Sequence, residues 1–157
     1  ILYVCENNEY SVYSHISKRQ SKKRSITKIA KSFGIKSEKM DGNNIENIYI
    51  KTNKIIKKIK NKPQPYLIEL KTFRHLEHCG PNNDDHLNYR SKKYLKQWNR
   101  RCPIRNYKKF LNKNDSVSIK NMKDLDNIIK YEILNAFAFA KRSKFPKKSL
   151  LKKYVYA

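Results

Sequence analysis

Residues 1–11, Ile-Leu-Tyr-Val-Cys-Glu-Asn-Asn-Glu-Tyr-Ser, decide the fold. Ile1, Leu2, Tyr3 and Val4 form an apolar run without alternation, and Glu6, Asn7 and Asn8 follow at once. A parallel strand covered on both faces reads this way, because side chains on either side meet another layer. In open α/β sheets the carboxyl ends of such strands frame the crevice where ligands bind. The segment therefore predicts a buried parallel strand that delivers two amides to a ligand crevice. A plain turn accounts for Asn7 and Asn8 equally well, since Asn tolerates left-handed backbone and bonds its own neighbours.

Outward from this strand, residues 11–24 are polar and irregular, and Ser25 then caps a short helix through Phe33, stopped by Gly34. Lys39, Met40 and Asp41 read as a brief strand and its exit. From Asn44 to Lys60, Ile45, Ile48, Thr52, Ile55, Ile56 and Ile59 fall at steps of three and four and share one helix face, with Lys51, Lys54, Lys57 and Lys58 opposite. Pro63 and Pro65 end that helix, and Tyr66 to Leu70 make another short buried strand. Strand, helix, strand, helix, strand implies a parallel sheet with helices on its faces. Residues 75–90 carry no apolar period and predict a long loop, a type that is usually functional. Helices resume with Ser91 as a cap before Leu95 and Trp98, and with Pro103 in a first turn before Tyr107 and Leu111. A last helix, 119–141, predicts a buried stripe of Met122, Leu125, Ile129, Ile133, Ala136, Phe137 and Ala140. The expected organisation is an α/β half over 1–90 and a helical C-terminal segment over 91–157.

Composition bounds the function. The formal net charge of +24, from 37 Lys and Arg against 13 Asp and Glu, suits a polyanion partner only where the charge clusters. Here Lys is scattered through nearly every segment, so a solvated surface is the simpler reading and no specific nucleic acid is expected. A basic, noncatalytic binding module stands as the rival class. Three cysteines at irregular spacing form neither a disulfide framework nor a paired metal knuckle. His75, His78, Cys79 and His86 match no closed zinc pattern. No apolar run approaches the roughly 20 residues of a bilayer span, so no membrane is expected and the setting is cytoplasmic, or an organelle matrix. A chain opening at Ile1 inside an apolar run reads as a truncation. Drift toward Lys and Asn would also accompany a decaying gene.

Taken in order, these segments resemble the alpha subunits of thiamine diphosphate-dependent 2-oxo acid dehydrogenases over essentially the whole chain. Residues 1–11 resemble the end of the family's cofactor motif, in which a Gly-Asp-Gly triplet is followed at a distance by paired Asn. Asp41-Gly42-Asn43-Asn44 is similar to its Asp-Gly-Asn-Asp turn, and residues 65–74, Pro-Tyr-Leu-Ile-Glu-Leu-Lys-Thr-Phe-Arg, to its strand ending in Thr-Tyr-Arg. His78, Asp84 or Asp85, Tyr89-Arg90, Trp98 and Cys102-Pro103-Ile104 continue the pattern, and Val155-Tyr156-Ala157 looks like the natural C-terminus of such subunits. Each motif is weak alone; their collinearity makes the match specific.

The resemblance implies a partial thiamine diphosphate-binding fold, an oxidoreductase acting on pyruvate by default, and a magnesium ion clamping the cofactor diphosphate. Asn8 would give that ion its side-chain oxygen and Tyr10 its backbone carbonyl, with an acid from the absent Gly-Asp-Gly half. His78 would contact the phosphate side of the cofactor and shape the active-site channel. Arg74 would bind there too and, with Arg90, steady the loop by charge-assisted bonds, in which Asp85 and Tyr89 share. A separate beta subunit, in an alpha2-beta2 heterotetramer, would supply the acid that activates the aminopyrimidine. A lipoyl acyltransferase would take the acyl group. Lys92 and Lys93 depart from positions where acids are common. Glu77, Cys79, Gly80 and Pro81 resemble a branch tied to surface polysaccharide synthesis, which gives an alternative substrate class without a lipoyl partner.

Overall fold

In the computed structural model, which describes residues 1–114, 119–153 and 155, the chain opens with strand β1, Leu2–Asn7. A two-residue antiparallel pair follows, β2 (Tyr10–Ser11) with β3 (Ser14–His15), where the sequence reading expected irregular chain. Helix α1 (Ile26–Ser32) starts at Ser25, whose side chain accepts a hydrogen bond from the Lys28 N–H, and Gly34 behind it takes the left-handed conformation at φ 74°. Strand β4 is Lys36–Asp41, helix α2 is Ile45–Asn61 capped by Asn44, and strand β5 is Tyr66–Lys71. Helices α3 (Lys92–Arg100), α4 (Pro103–Lys113) and α5 (Ile119–Arg142) complete the regular structure.

The long strands form one parallel sheet in the order β1-β5-β4, with β5 central. Their registers coincide: Leu2 and Lys36 both pair with Tyr66, and Asn7 and Asp41 both pair with Lys71. All three carboxyl ends therefore stop at one level. On one face Met40, Tyr66, Ile68 and Leu70 pack with Ile55 of α2, joined at the margin by Leu2, Ile48 and Ile59. Burial of a side chain such as Ile55 or Ile68 contributes about 2 kcal/mol each. α1 lies against β4 and β5, and the Ser37 hydroxyl of β4 donates to the Thr27 carbonyl of α1 at 2.8 Å.

Two expectations of burial need correction. β1 is an edge strand with Tyr3 47% and Val4 54% exposed, because β5 is its only ladder partner among the described residues. The predicted stripe of α5 is also uncovered: Leu125, Ile129, Ile133 and Phe137 are each more than 40% exposed, and Ala136 and Ala140 are exposed with them. Met122 alone of that set is half-buried. Periodicity reports which side chains favour an apolar surrounding, whereas burial requires a covering surface, and the described residues of the second unit present none to them.

The chain divides into two compact units, Ile1–Lys108 and the residues from Lys109 onward. Among the described residues no helix is long and apolar enough to cross a membrane. Tyr156 and Ala157, two of the three C-terminal residues in the sequence comparison above, lie outside the described set.

Candidate ligand crevice at the carboxyl edge of the sheet

Because β1, β4 and β5 end in step, the turns beyond them converge. They enclose a cavity of about 420 Å³. Glu6 and Asn8 line it from β1 and its exit, Gly42 and Asn43 from the turn after β4, and Thr72, Phe73, Arg74 and His75 from the chain beyond β5. This is the position at which open α/β sheets collect ligands.

The exit of β1 is built from two side chains that cap their own backbone. Asn7 Oδ1 accepts from the Glu9 N–H at 3.0 Å and Asn8 Oδ1 from the Tyr10 N–H at 2.8 Å. Glu9, between them, adopts φ 65°. The two amides form the turn, and Asn8, unlike Asn7, also lines the cavity. The Asn8 oxygen keeps a second lone pair beyond its backbone bond.

The turn after β4 owes its sequence to close approach. The Gly42 N–H donates to the Lys71 carbonyl at 2.9 Å, and a Cβ on Gly42 would stand 2.5 Å from Thr72 Cγ2 and 2.7 Å from that same carbonyl oxygen. Asp41 Oδ1 accepts from the Asn43 N–H at 3.0 Å, Asp41 Oδ2 pairs with Arg101 at 2.7 Å, and the Asn43 amide donates to the Arg101 carbonyl at 2.6 Å. The end of α3 is thereby pinned to the crevice rim.

Beyond β5, Arg74 donates through Nη2 to the Val12 carbonyl at 2.9 Å and to Tyr89 Oη at 2.8 Å, and through Nε to the Leu76 carbonyl at 3.0 Å. Tyr89 in turn donates to Asp84 Oδ2 at 2.7 Å. Arg90, only 4% exposed, donates to Asp84 Oδ1 at 2.7 Å, to Asp85 Oδ1 at 2.9 Å and to the Arg74 carbonyl at 2.6 Å. Its guanidinium also lies over the rings of Phe73 and Tyr89, at 5.0 and 4.7 Å from their centroids. Asp84, 2% exposed, is the hub that closes the long loop back onto its own start. Burial pushes the Tyr89 phenol up, and its bond to Asp84 adds to that shift. Val12 holds φ 53°, unfavourable for a β-branched residue, at the point where Arg74 grips its carbonyl.

Of the sequence-predicted residues, some line the crevice, some belong to the strap formed by residues 74–90, and Tyr10 and His78 lie outside the lining. Asn8 and Arg74 line the cavity. Tyr10 packs its ring edge-on against His15 and Tyr89, at 5.1 and 5.6 Å, and burial pushes its phenol up. Asp85, Tyr89 and Arg90 belong to the strap. His78 is exposed and outside the lining, whereas His75 lines the cavity with its ring edge against Phe73 at 4.8 Å. Sequence reading placed Glu6 among the polar groups ending β1 and His75 in the loop at the channel mouth, but singled out neither, nor Thr72, as a site residue; the position of Glu6 and Thr72 at strand ends was the available clue.

Two observations bear on what the crevice can hold. Arg74 Nη1 is buried and has no hydrogen-bond partner among the described residues, an orphaned cationic donor of the kind an anion satisfies. No group of three or more His, Cys, Asp or Glu suited to a metal ion occurs among the described residues. The oxygens of Glu6 and Asn8 suit a hard cation that shares its shell with a ligand's phosphates, and are too few to hold one alone.

A parallel sheet flanked by helices, with a crevice across its aligned strand ends, defines an α/β domain of the class that gathers ligands at that edge. The chain belongs to the dehydrogenase E1 component family, whose model matches residues 1–149. Among curated relatives, the pyruvate dehydrogenase E1 component subunit alpha of Rickettsia bellii is 28% identical over 156 residues, covering 99% of this chain and 47% of that protein. The subunit of the same name from Porphyra purpurea is 28% identical over 157 residues, covering 100% of this chain and 44% of the relative. The mitochondrial 2-oxoisovalerate dehydrogenase subunit alpha 2 of Arabidopsis thaliana is 28% identical over 147 residues, or 93% of this chain and 30% of the relative. The chain thus spans about half the length, or less, of these relatives.

Proposed function

We propose that this chain is part of the alpha subunit of a thiamine diphosphate-dependent 2-oxo acid dehydrogenase, and that the crevice at the carboxyl edge of its sheet holds the diphosphate end of the cofactor. The observation that carries this reading is the convergence of Asn8, Gly42 and Arg74 on one cavity, from three segments collinear with the family's motifs. Thiamine diphosphate held there would supply a carbanionic nucleophile and an electron-accepting ring for the decarboxylation of a 2-oxo acid.

The residues of this chain bind, orient and exclude water. The Asn8 side-chain oxygen and the Tyr10 carbonyl would hold a magnesium ion, with the remaining ligands coming from the diphosphate, from water and from an acid outside this chain. Glu6 is the carboxylate of this chain in the lining. Arg74, through Nη1, would meet a phosphate oxygen. Gly42 lets the turn close against Thr72, which brings the rim near a ligand. His75 lines the same cavity, while His78, exposed on the loop, would act at the mouth of the channel.

A beta subunit in an alpha2-beta2 heterotetramer and a lipoyl acyltransferase are the partners this function calls for, and cytoplasm or an organelle matrix is its setting. Pyruvate is the proposed substrate, on the likeness to subunits named for pyruvate dehydrogenase. The test is calorimetric titration of thiamine diphosphate, with and without magnesium, into the complete alpha subunit assembled with its beta partner. Asn8→Ala should abolish the magnesium-dependent part of the affinity, and an unchanged affinity would overturn the reading.

A further inference from the structure

Glu69 stands in the middle of the central strand with 2% of its surface exposed. A carboxylate there is expensive, and an apolar side chain would serve the sheet as well or better. Two groups reach it: Lys39 Nζ at 3.3 Å, from its register neighbour on β4, and Asn7 Nδ2 at 2.9 Å, from the last residue of β1. The lysine side chain is 55% exposed, so its attraction is largely screened. The bond from Asn7 has a structural consequence that the ion pair lacks. An Asn amide can present nitrogen or oxygen to either side with little change in shape, and a carboxylate, which only accepts, selects one orientation.

With Nδ2 held by Glu69, Asn7 Oδ1 is turned toward the Glu9 N–H, which it caps at 3.0 Å. Glu9 is thereby kept at φ 65°, and the next bond, from the Tyr10 N–H to Asn8 Oδ1 at 2.8 Å, follows directly. The path runs from Glu69 through Asn7 and the Glu9 backbone to the oxygen of Asn8 on the crevice. We propose that Glu69 is a positioning residue, which sets the exit turn of β1 and through it the oxygens of Asn8 and Tyr10 assigned above to the metal. The inference deepens the cofactor reading above and rests on it.

The experiment uses the complete alpha subunit with its beta partner, and Glu69→Leu, Glu69→Gln, Asn7→Leu, the Leu-Leu double variant and Asn8→Ala. Magnesium-dependent affinity for thiamine diphosphate is measured by calorimetry, and the thermal midpoint is measured separately without ligand. Glu69→Leu should weaken binding by about 10- to 100-fold, the range typical of residues that orient metal ligands, while the thermal midpoint stays level or rises. Glu69→Gln, which still offers an acceptor to Asn7, should recover the greater part of the affinity. The double variant should bind no more weakly than the worse single variant, because both act along one path. Normal binding by Glu69→Leu, losses that follow the thermal midpoint, or additive losses in the double variant would each overturn the proposal. Should Glu69→Leu fail to fold, Asn7→Leu tests the same path, and unchanged affinity there counts against it. Loss of affinity in Asn8→Ala beside a silent Glu69→Leu refutes the positioning role alone, whereas a silent Asn8→Ala refutes the cofactor reading itself.

Discussion

Tyr66 and Gly42 show how single side chains set the behaviour of the sheet. The Tyr66 phenol is pushed up to about 12, first by burial, then by the bond it donates to Glu38 at 2.5 Å, and then by the charge of that carboxylate. Below pH 10 the phenol is protonated in both folded and unfolded chain, and its contribution is whole. Above that the unfolded chain releases its proton first, so stability should fall as pH rises from 10 to about 12. The loss should reach at most about 2 kcal/mol, since Glu38 is partly solvated. Urea unfolding at stepped pH should show this slope, and Tyr66→Phe should flatten it; an unaltered slope in the variant would assign the effect elsewhere. Gly42→Ala forces a methyl against the Thr72 side chain and against the Lys71 carbonyl, and the carbonyl cannot retreat without moving β5. It should destabilise the chain by about 1–3 kcal/mol, measured by chemical denaturation. A cost near zero would show that the turn has room to shift.

At the scale of elements, the strap from residue 74 to residue 90 is the most heavily bonded loop in the described chain. Its stability comes from one buried acid shared by two guanidinium groups and a phenol. Asp84→Ala leaves Arg90, 4% exposed, with half of its carboxylate partners, and removal of one member of a buried pair costs about 3–5 kcal/mol. Limited proteolysis should then cut within residues 75–90 well before the sheet unfolds. Persistent resistance would mean that Asp85 and the Arg74 carbonyl suffice for Arg90. Replacement of Asp84 and Arg90 together by apolar residues of similar volume should restore much of the loss. Sequence reading paired Arg74 and Arg90 with this loop on family likeness, gave the motif's acid as Asp84 or Asp85, and assigned the loop role to Asp85. Geometry separates the two acids, because Asp84 is buried at the hub and Asp85 lies outside it, partly solvated.

For the whole molecule, α5 presents apolar side chains to solvent along its described length. A polar change there meets no buried neighbour, so Ile129→Lys should alter unfolding of the chain by no more than about 0.5 kcal/mol while raising its solubility. A loss of several kcal/mol would show that the stripe is covered after all.

Sequence by itself determined the order of the long strands and helices, the caps at Ser25 and Ser91, and the parallel class of the sheet. These follow from local rules, since periodicity, capping oxygens and helix-breaking residues act within a few positions of chain. Tertiary structure alone decided that β5 is central and β1 an edge, that His75 rather than His78 lines the crevice, and that Glu69 bonds Asn7 across the sheet. Strand order, burial and the pairing of side chains 62 residues apart depend on which surfaces come together in space, and no local pattern of residues carries that information.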